Sequence, residues 1–161
     1  MTVKEFNKAV DDYSDGVYRF ILKNIRDKEK ACDIVQDSFE RLWMKHESIG
    51  YSKVKSYLFS TAYHTMIDTI RKENRLTNLE MIRDETYSHE SIYSDLNEIL
   101  HAAIELLPES QRSVILLRDY EGYSYDEIAE ITGLSESQVK VYIYRARLFL
   151  KKYIGSPEKV I

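Results

Sequence analysis

Between Ser124 and Gln138 the chain carries two helix-start signatures with one helix-stop signature between them. SYDE places Ser124 and Glu127 at capping-box spacing, Gly133 follows, and SESQ repeats the spacing with Ser135 and Gln138. In each box the serine oxygen accepts from a first-turn N–H and the side chain three residues on returns the bond, while a glycine adopts the left-handed conformation that ends a helix. These marks define a helix of about nine residues, a turn through Gly133 and Leu134, and a second capped helix. A segment from about Glu109 to Tyr120, closed by Gly122, supplies a third. The unit is a helix-turn-helix, with Ile128, Ala129, Leu134, Val139 and Ile143 as its expected shared core.

The last helix has two unlike sides. Val139, Ile143, Ala146 and Leu150 form a stripe at helical spacing that faces a core. Ser137, Val141, Tyr144, Arg145 and Leu148 point the other way, and after Glu136 the run to Tyr153 holds Lys140, Arg145, Arg147, Lys151 and Lys152 with no acid. A helix-turn-helix lays that far side in the major groove. Lys140 and Arg145 then reach base edges or phosphates, Ser137 and Gln138 hydrogen-bond near the helix start, and Val141 touches a thymine methyl. Arg112, Arg118, Arg147, Lys151 and Lys152 are placed for phosphates, which hold register without reading sequence. A solvated basic helix end accounts for Lys151 and Lys152 equally well, but not for Val141 and Leu148.

The rest of the chain is consistent with an all-α protein of two small helical domains. Five Gly and two Pro are few for 161 residues, and no run alternates as a strand does. The longest aliphatic run, Val114 to Leu117, is far too short to cross a bilayer, and the N-terminus lacks the basic start and apolar core of a secretion signal. Membrane insertion is not expected, and a cytoplasmic location is. Cys32 is the single cysteine, next to Ile34 and Val35, and is expected as a core thiol. The four histidines stand far apart without zinc-site spacing, and no glycine-rich phosphate loop or nucleophile elbow is present. Nothing points to catalysis, a metal or a cofactor.

Charge divides the chain into parts. Residues 1–75 carry 14 Lys and Arg against 12 Asp and Glu, residues 76–97 carry 1 against 5, and residues 98–161 carry 8 against 10. The middle part has weak periodicity and the densest uncompensated acid, which suits a linker. The expected organisation is a helical domain over 1–75, an acidic flexible linker over 76–97, the helix-turn-helix domain over 98–155 and a frayed tail over 156–161. Such a tether lets the domains take independent positions.

DKEKACDIVQDSFERLWMKH decides what surrounds the DNA reader. On a helical wheel Ile34, Val35, Ser38, Phe39, Leu42 and Trp43 share one half, while Asp33, Gln36, Asp37 and Glu40 share the other. Trp43 lies at the border, which makes it either a partner-protein anchor or a core residue beside a solvated acidic face.

With these strings in view, residues 5–153 resemble the extracytoplasmic-function sigma factors of bacterial RNA polymerase. DIVQDSFERLW resembles the family's polymerase-binding helix, SYLFSTAYHTMIDTIRKENR its promoter-opening helix, and LPESQRSVILLRDYEGYSYDEIAEITGLSESQVKVYIYRARLFL its second DNA-binding domain. The resemblance implies that Asp33, Gln36, Asp37, Phe39, Glu40 and Trp43 dock on the polymerase clamp. It implies that the loop Ser48–Lys53 and the helix through Tyr57, Tyr63, His64, Asp68 and Arg71 handle melting promoter DNA. An unpaired base needs a stacking pocket and the exposed strand needs cations. Tyr51, Tyr57 and Tyr63 supply rings, and Lys53, Lys55, Arg71, Lys72 and Arg75 supply charge, with core packing the competing role for Tyr57. His64 stands where the family often has Asn, and Val141 and Tyr142 replace the common basic and hydroxyl choices. The implied function is a promoter-specificity subunit, monomeric when free, which binds core polymerase, recognises two promoter elements and helps open the DNA. An anti-sigma factor is a further implied partner. The alternative from the residues alone is a dimeric helix-turn-helix regulator with a sensor or dimerisation domain at its N-terminus.

Overall fold

The computed structural model describes residues 1–80 and 96–155. Its elements are α1 (Val3–Ile25), α2 (Lys28–Met44), a 3-10 turn (Tyr51–Lys53), α3 (Val54–Glu80), α4 (Leu96–Glu105), α5 (Glu109–Ile115) continued by a π turn (Leu116–Tyr120), α6 (Tyr125–Thr132) and α7 (Glu136–Ile154). No strand occurs among the described residues.

Local chemistry sets the helix ends. Thr2 and Glu5 form a capping box at the start of α1, Arg26 closes it at φ 57°, and Asp27 caps α2 through the Lys30 N–H. The connection is so short that α1 and α2 must run back alongside each other. Their inward stripes, Val17, Phe20 and Ile21 on α1 and Ala31, Ile34 and Leu42 on α2, close on Leu58, Phe59, Ala62 and Met66 of α3. Both capping boxes of the helix-turn-helix are formed, and Gly133 ends α6 at φ 81°. Ile128, Val139 and Ile143 are buried, with Ala129 and Leu134 packed against them.

Four features differ from the sequence expectation. Cys32 is exposed rather than a core thiol: the buried positions of α2 are Ala31, Ile34, Ser38 and Leu42, and one step of about 100° from Ala31 turns the thiol outward. The second domain has a fourth helix, α4, ahead of the three marked by capping signals. The helices also reach into the expected linker, with α3 running on to Glu80 and α4 beginning at Leu96. Of the expected linker, 81–95 lie outside the described residues, as does the tail 156–161.

The fourth difference concerns how the domains meet. Instead of standing apart, they share one continuous core. α3 packs along α6, and α1 lies against α5 and the π turn. Phe59 meets Tyr123 edge-on at 5.1 Å, and Tyr63 is buried beside Glu109 at the start of α5. Polar bonds ring this contact: Arg19 to Glu121, Arg26 to Glu105, Lys55 to Glu127, Ser56 to Glu130, and Arg112 to Asn24.

Candidate partner and nucleic-acid interfaces

Three faces carry the predicted site residues. The first is the outer side of α2 with the adjoining edge of α1. Trp43 is 41 % exposed and so is no core residue. It is held by Phe6, edge-on at 5.0 Å, and by His46, stacked at 4.2 Å with its plane 7° off. Phe39 meets Phe6 at 6.3 Å. These rings line an apolar groove of about 760 Å³ with Val10, Val35 and Met44, and Gln36 and Glu40 stand on its rim. Asp33, Gln36 and Glu40 are exposed, while Asp37 bonds Arg41 one turn on at 3.1 Å. A rigid aromatic anchor beside an acidic rim is the anatomy of a protein-docking surface. Phe6 and Val10 were not foreseen, because the wheel of one helix cannot show what another helix adds.

The second face runs from the loop after α2 along α3. Tyr51 donates to Asp12 at 3.1 Å, and the Lys8 ammonium lies 5.9 Å from its ring. Lys8 and then Tyr51 hold the Asp12 carboxyl below its ordinary range. Between the end of α2 and α3 lies a pocket of about 380 Å³ lined by Arg41, Met44, Lys45, Tyr57, Ser60, Thr61 and His64. Tyr57 and His64 were foreseen there, and the others were not. Half-buried Tyr57 packs against the core and also lines the pocket. His64, Asp68, Arg71, Lys72 and Arg75 are exposed along α3, and Lys53 is exposed ahead of it. Two expected members are not free. Tyr63 is 7 % exposed, with burial and neighbouring Glu109 raising its pKa, so no base can stack on it in this arrangement. Lys55 gives its ammonium to Glu127 at 2.6 Å.

The third face is α7. Ser137, Lys140, Val141, Tyr144 and Arg145 are exposed on one side, with Val141 43 % and Tyr144 67 % exposed although both carry large apolar surface. Gln138 accepts from the Ser135 N–H at 3.0 Å, so its carbonyl serves the helix start. Three expected phosphate contacts have other partners. Arg112 is desolvated, which lowers its pKa, and donates to Asn24 and to the Leu107 carbonyl. Arg118 donates to the Tyr123 carbonyl at 2.9 Å and covers the Tyr125 ring at 4.4 Å. Arg147 holds Asp119 through bonds of 2.6 and 3.3 Å. Of these, Arg112 is part-buried and its guanidinium is engaged by Asn24 and the Leu107 carbonyl, which competes with a phosphate contact.

A helical domain with an exposed aromatic groove on α2, packed on a helix-turn-helix domain, is the architecture of a class of two-domain transcription proteins. The family model described as Sigma-70 region 2 matches residues 9–76, and that described as Sigma-70, region 4 matches residues 97–150. The ECF RNA polymerase sigma factor SigM of Bacillus subtilis is 30 % identical over 156 residues, covering 94 % of each chain. RNA polymerase sigma factor SigV of the same organism is 31 % identical, covering 91 % of this chain and 92 % of its own. Among solved structures, the sigma factor RpoE in complex with the anti-sigma factor NepR from Bartonella quintana superposes with a TM-score of 0.80 at 26 % identity, over 96 % of this chain and 99 % of that one.

This chain belongs to the extracytoplasmic-function sigma factors, the small two-domain branch of the sigma-70 family. It is a promoter-specificity subunit of RNA polymerase, a partner of the core enzyme and of promoter DNA, in a family whose members are not themselves catalysts. The dimeric-regulator alternative is not favoured. No described helix is long and apolar enough to cross a membrane.

Proposed function

We propose that this sigma factor works through the three faces above and performs no chemistry of its own. The α2 face docks on core polymerase, with Trp43 and Phe39 as apolar anchors and Asp33, Gln36, Asp37 and Glu40 meeting cations around them. The observation that carries this assignment is the exposed Trp43, fixed between Phe6 and His46 beside a groove of about 760 Å³. A ring immobilised before binding loses little entropy on docking. The same groove suits the apolar side chains of an anti-sigma factor, the type of partner named for the RpoE structure.

The loop and α3 take the melting element. The 380 Å³ pocket admits a base turned out of the stack, with Tyr57 as a ring and His64 as a hydrogen-bonding group, and Lys53, Arg71, Lys72 and Arg75 follow the strand. On α7, Ser137, Lys140, Val141, Tyr144 and Arg145 take the upstream element in the major groove. Net acidity fits this division, since only local faces need be cationic and polymerase supplies much of the attraction. The protein is expected to act in the cytoplasm as a monomer before joining core enzyme. Transcription reconstituted with core polymerase alone tests the proposal. Promoter-specific transcripts should appear with wild type and vanish with Asp37→Arg, and tight specific DNA binding by the free chain would overturn it.

A further inference from the structure

The second domain is a DNA reader with more acid than base, and the two charges are kept apart. Nine of its ten Asp and Glu lie at or before Glu136, and six of its eight Lys and Arg lie at or after Lys140. α7 is thus cationic, whereas α4 to α6 are anionic. Only two cations of this domain, Arg112 and Arg118, precede α7. Arg112 is engaged by Asn24 of the first domain and by the Leu107 carbonyl. Arg118 is placed instead by an aromatic ring that the sequence reading gave no part.

That ring belongs to Tyr125, the half-buried first residue of α6. The Arg118 guanidinium carbon lies 4.4 Å from its centroid and the Lys140 ammonium 5.5 Å. One cation comes from the π turn after α5 and the other from α7, so the ring joins elements that are distant in sequence. Arg147 is close as well: Asp119, and then Tyr125, hold its pKa above the ordinary value. An aromatic face is negative at its centre and draws cations to it. Such a contact takes up the flat face of the guanidinium and leaves its edge, where the N–H donors are. Of those donors, Nη1 of Arg118 is spent on the Tyr123 carbonyl at 2.9 Å. Lys140 comes no nearer to Glu136 than 3.6 Å. Both cations are held in place without being neutralised.

We infer that Tyr125 is a positioning residue of the upstream-element site: its ring gathers Arg118 and Lys140 into one phosphate-holding edge beside the outer side of α7. In a helix-turn-helix the first helix crosses the DNA backbone while the second lies in the groove, so the start of α6 is where a strand's phosphates pass. Two long side chains ordered on a ring before binding lose less freedom when they meet a phosphate. The ring also lets an otherwise anionic stretch present a cation to DNA. This inference rests on the assignment of α7 to the upstream element.

The test titrates holoenzyme on a promoter fragment selected by wild-type holoenzyme, over a series of salt concentrations. Tyr125→Leu keeps apolar bulk but removes the aromatic face. Affinity should fall about tenfold and the salt slope by about one, the signature of a lost phosphate contact. Tyr125→Phe retains the face and should restore both. In an Arg118→Ala background, Tyr125→Leu should add no more than about a twofold loss, because the cation it would release is already gone. A wild-type slope in Tyr125→Leu, with only the melting temperature lowered, would overturn the inference by showing the ring to be packing alone. So would losses that add in full with Arg118→Ala, or a Phe variant as weak as the Leu one. Should Lys140→Ala and Arg145→Ala both bind as wild type does, the assignment of α7 itself fails, and the inference with it.

Discussion

Arg19 donates two hydrogen bonds of 2.8 Å to the two carboxylate oxygens of Glu121, joining α1 to the turn before α6 across 102 positions of sequence. The Glu121 side chain is only 5 % exposed, whereas that of Arg19 is 49 % exposed. Arg19→Ala therefore leaves a nearly buried carboxylate unpaired and should destabilise the closed arrangement by about 1–3 kcal/mol. Urea unfolding monitored at Trp43 would read the loss, and an unchanged midpoint would refute it.

Gly16 lies under the same pair. A Cβ there would meet a Glu121 oxygen at 3.4 Å and Phe59 at 3.5 Å, which is ordinary contact. Since glycine inside a helix costs about 0.5–1 kcal/mol relative to alanine, Gly16→Ala should be neutral or stabilising. Gly16→Leu should push Glu121 away and lower stability. Thermal unfolding of the two variants checks the opposite signs.

Trp43→Ala should weaken association with core polymerase by at least tenfold, about 1.4 kcal/mol or more, while leaving the fold intact, because the indole edge is already in water. Arg145→Ala should spare that association and weaken the upstream contact. If Arg145 reaches a base, about 1–3 kcal/mol and some specificity are lost together, and if it reaches a phosphate, the salt slope falls by about one. Titrations of holoenzyme on promoter DNA at several salt concentrations separate these outcomes.

His101 makes the domain contact sensitive to pH. It tilts against Tyr120 at 6.4 Å, and burial, then Lys23, then Arg26 hold its pKa below 6.5, with Glu98 and Glu105 on its own helix opposing them. A histidine depressed in this way contributes stability that is complete above its ordinary pKa and lost as pH falls through the lowered one. Because Lys23 and Arg26 belong to the other domain, separation removes these two repulsions. Acidification below about 6.5 should favour the open form, with His101→Gln flattening the response. Small-angle scattering across that range measures it.

The helix-turn-helix was legible because its punctuation is local: Ser124, Gly133 and Ser135 act on neighbours three or four residues away, and the outward side of α7 follows from periodicity alone. The α2 face was half legible, since the wheel placed Asp33, Gln36 and Glu40 outside but could not say that Phe6 and Val10 of α1 complete a groove. Cys32 failed because chain neighbours Ile34 and Val35 do not set the side of a helix on which a residue lies. The ion pairs across the domains were hidden for another reason. Lys55 and Glu127 are 72 positions apart, and each alone has the pattern of a solvated surface charge.

The separation of acids on α4 to α6 from cations on α7 gives the second domain an electric polarity of its own. A duplex meeting its anionic side is repelled, and one meeting α7 is drawn in, so encounters are sorted by orientation before any base is touched. That filter is strongest for a domain already swung free of its neighbour, and salt weakens it. Raising ionic strength should therefore slow productive capture of the upstream element more than it speeds release.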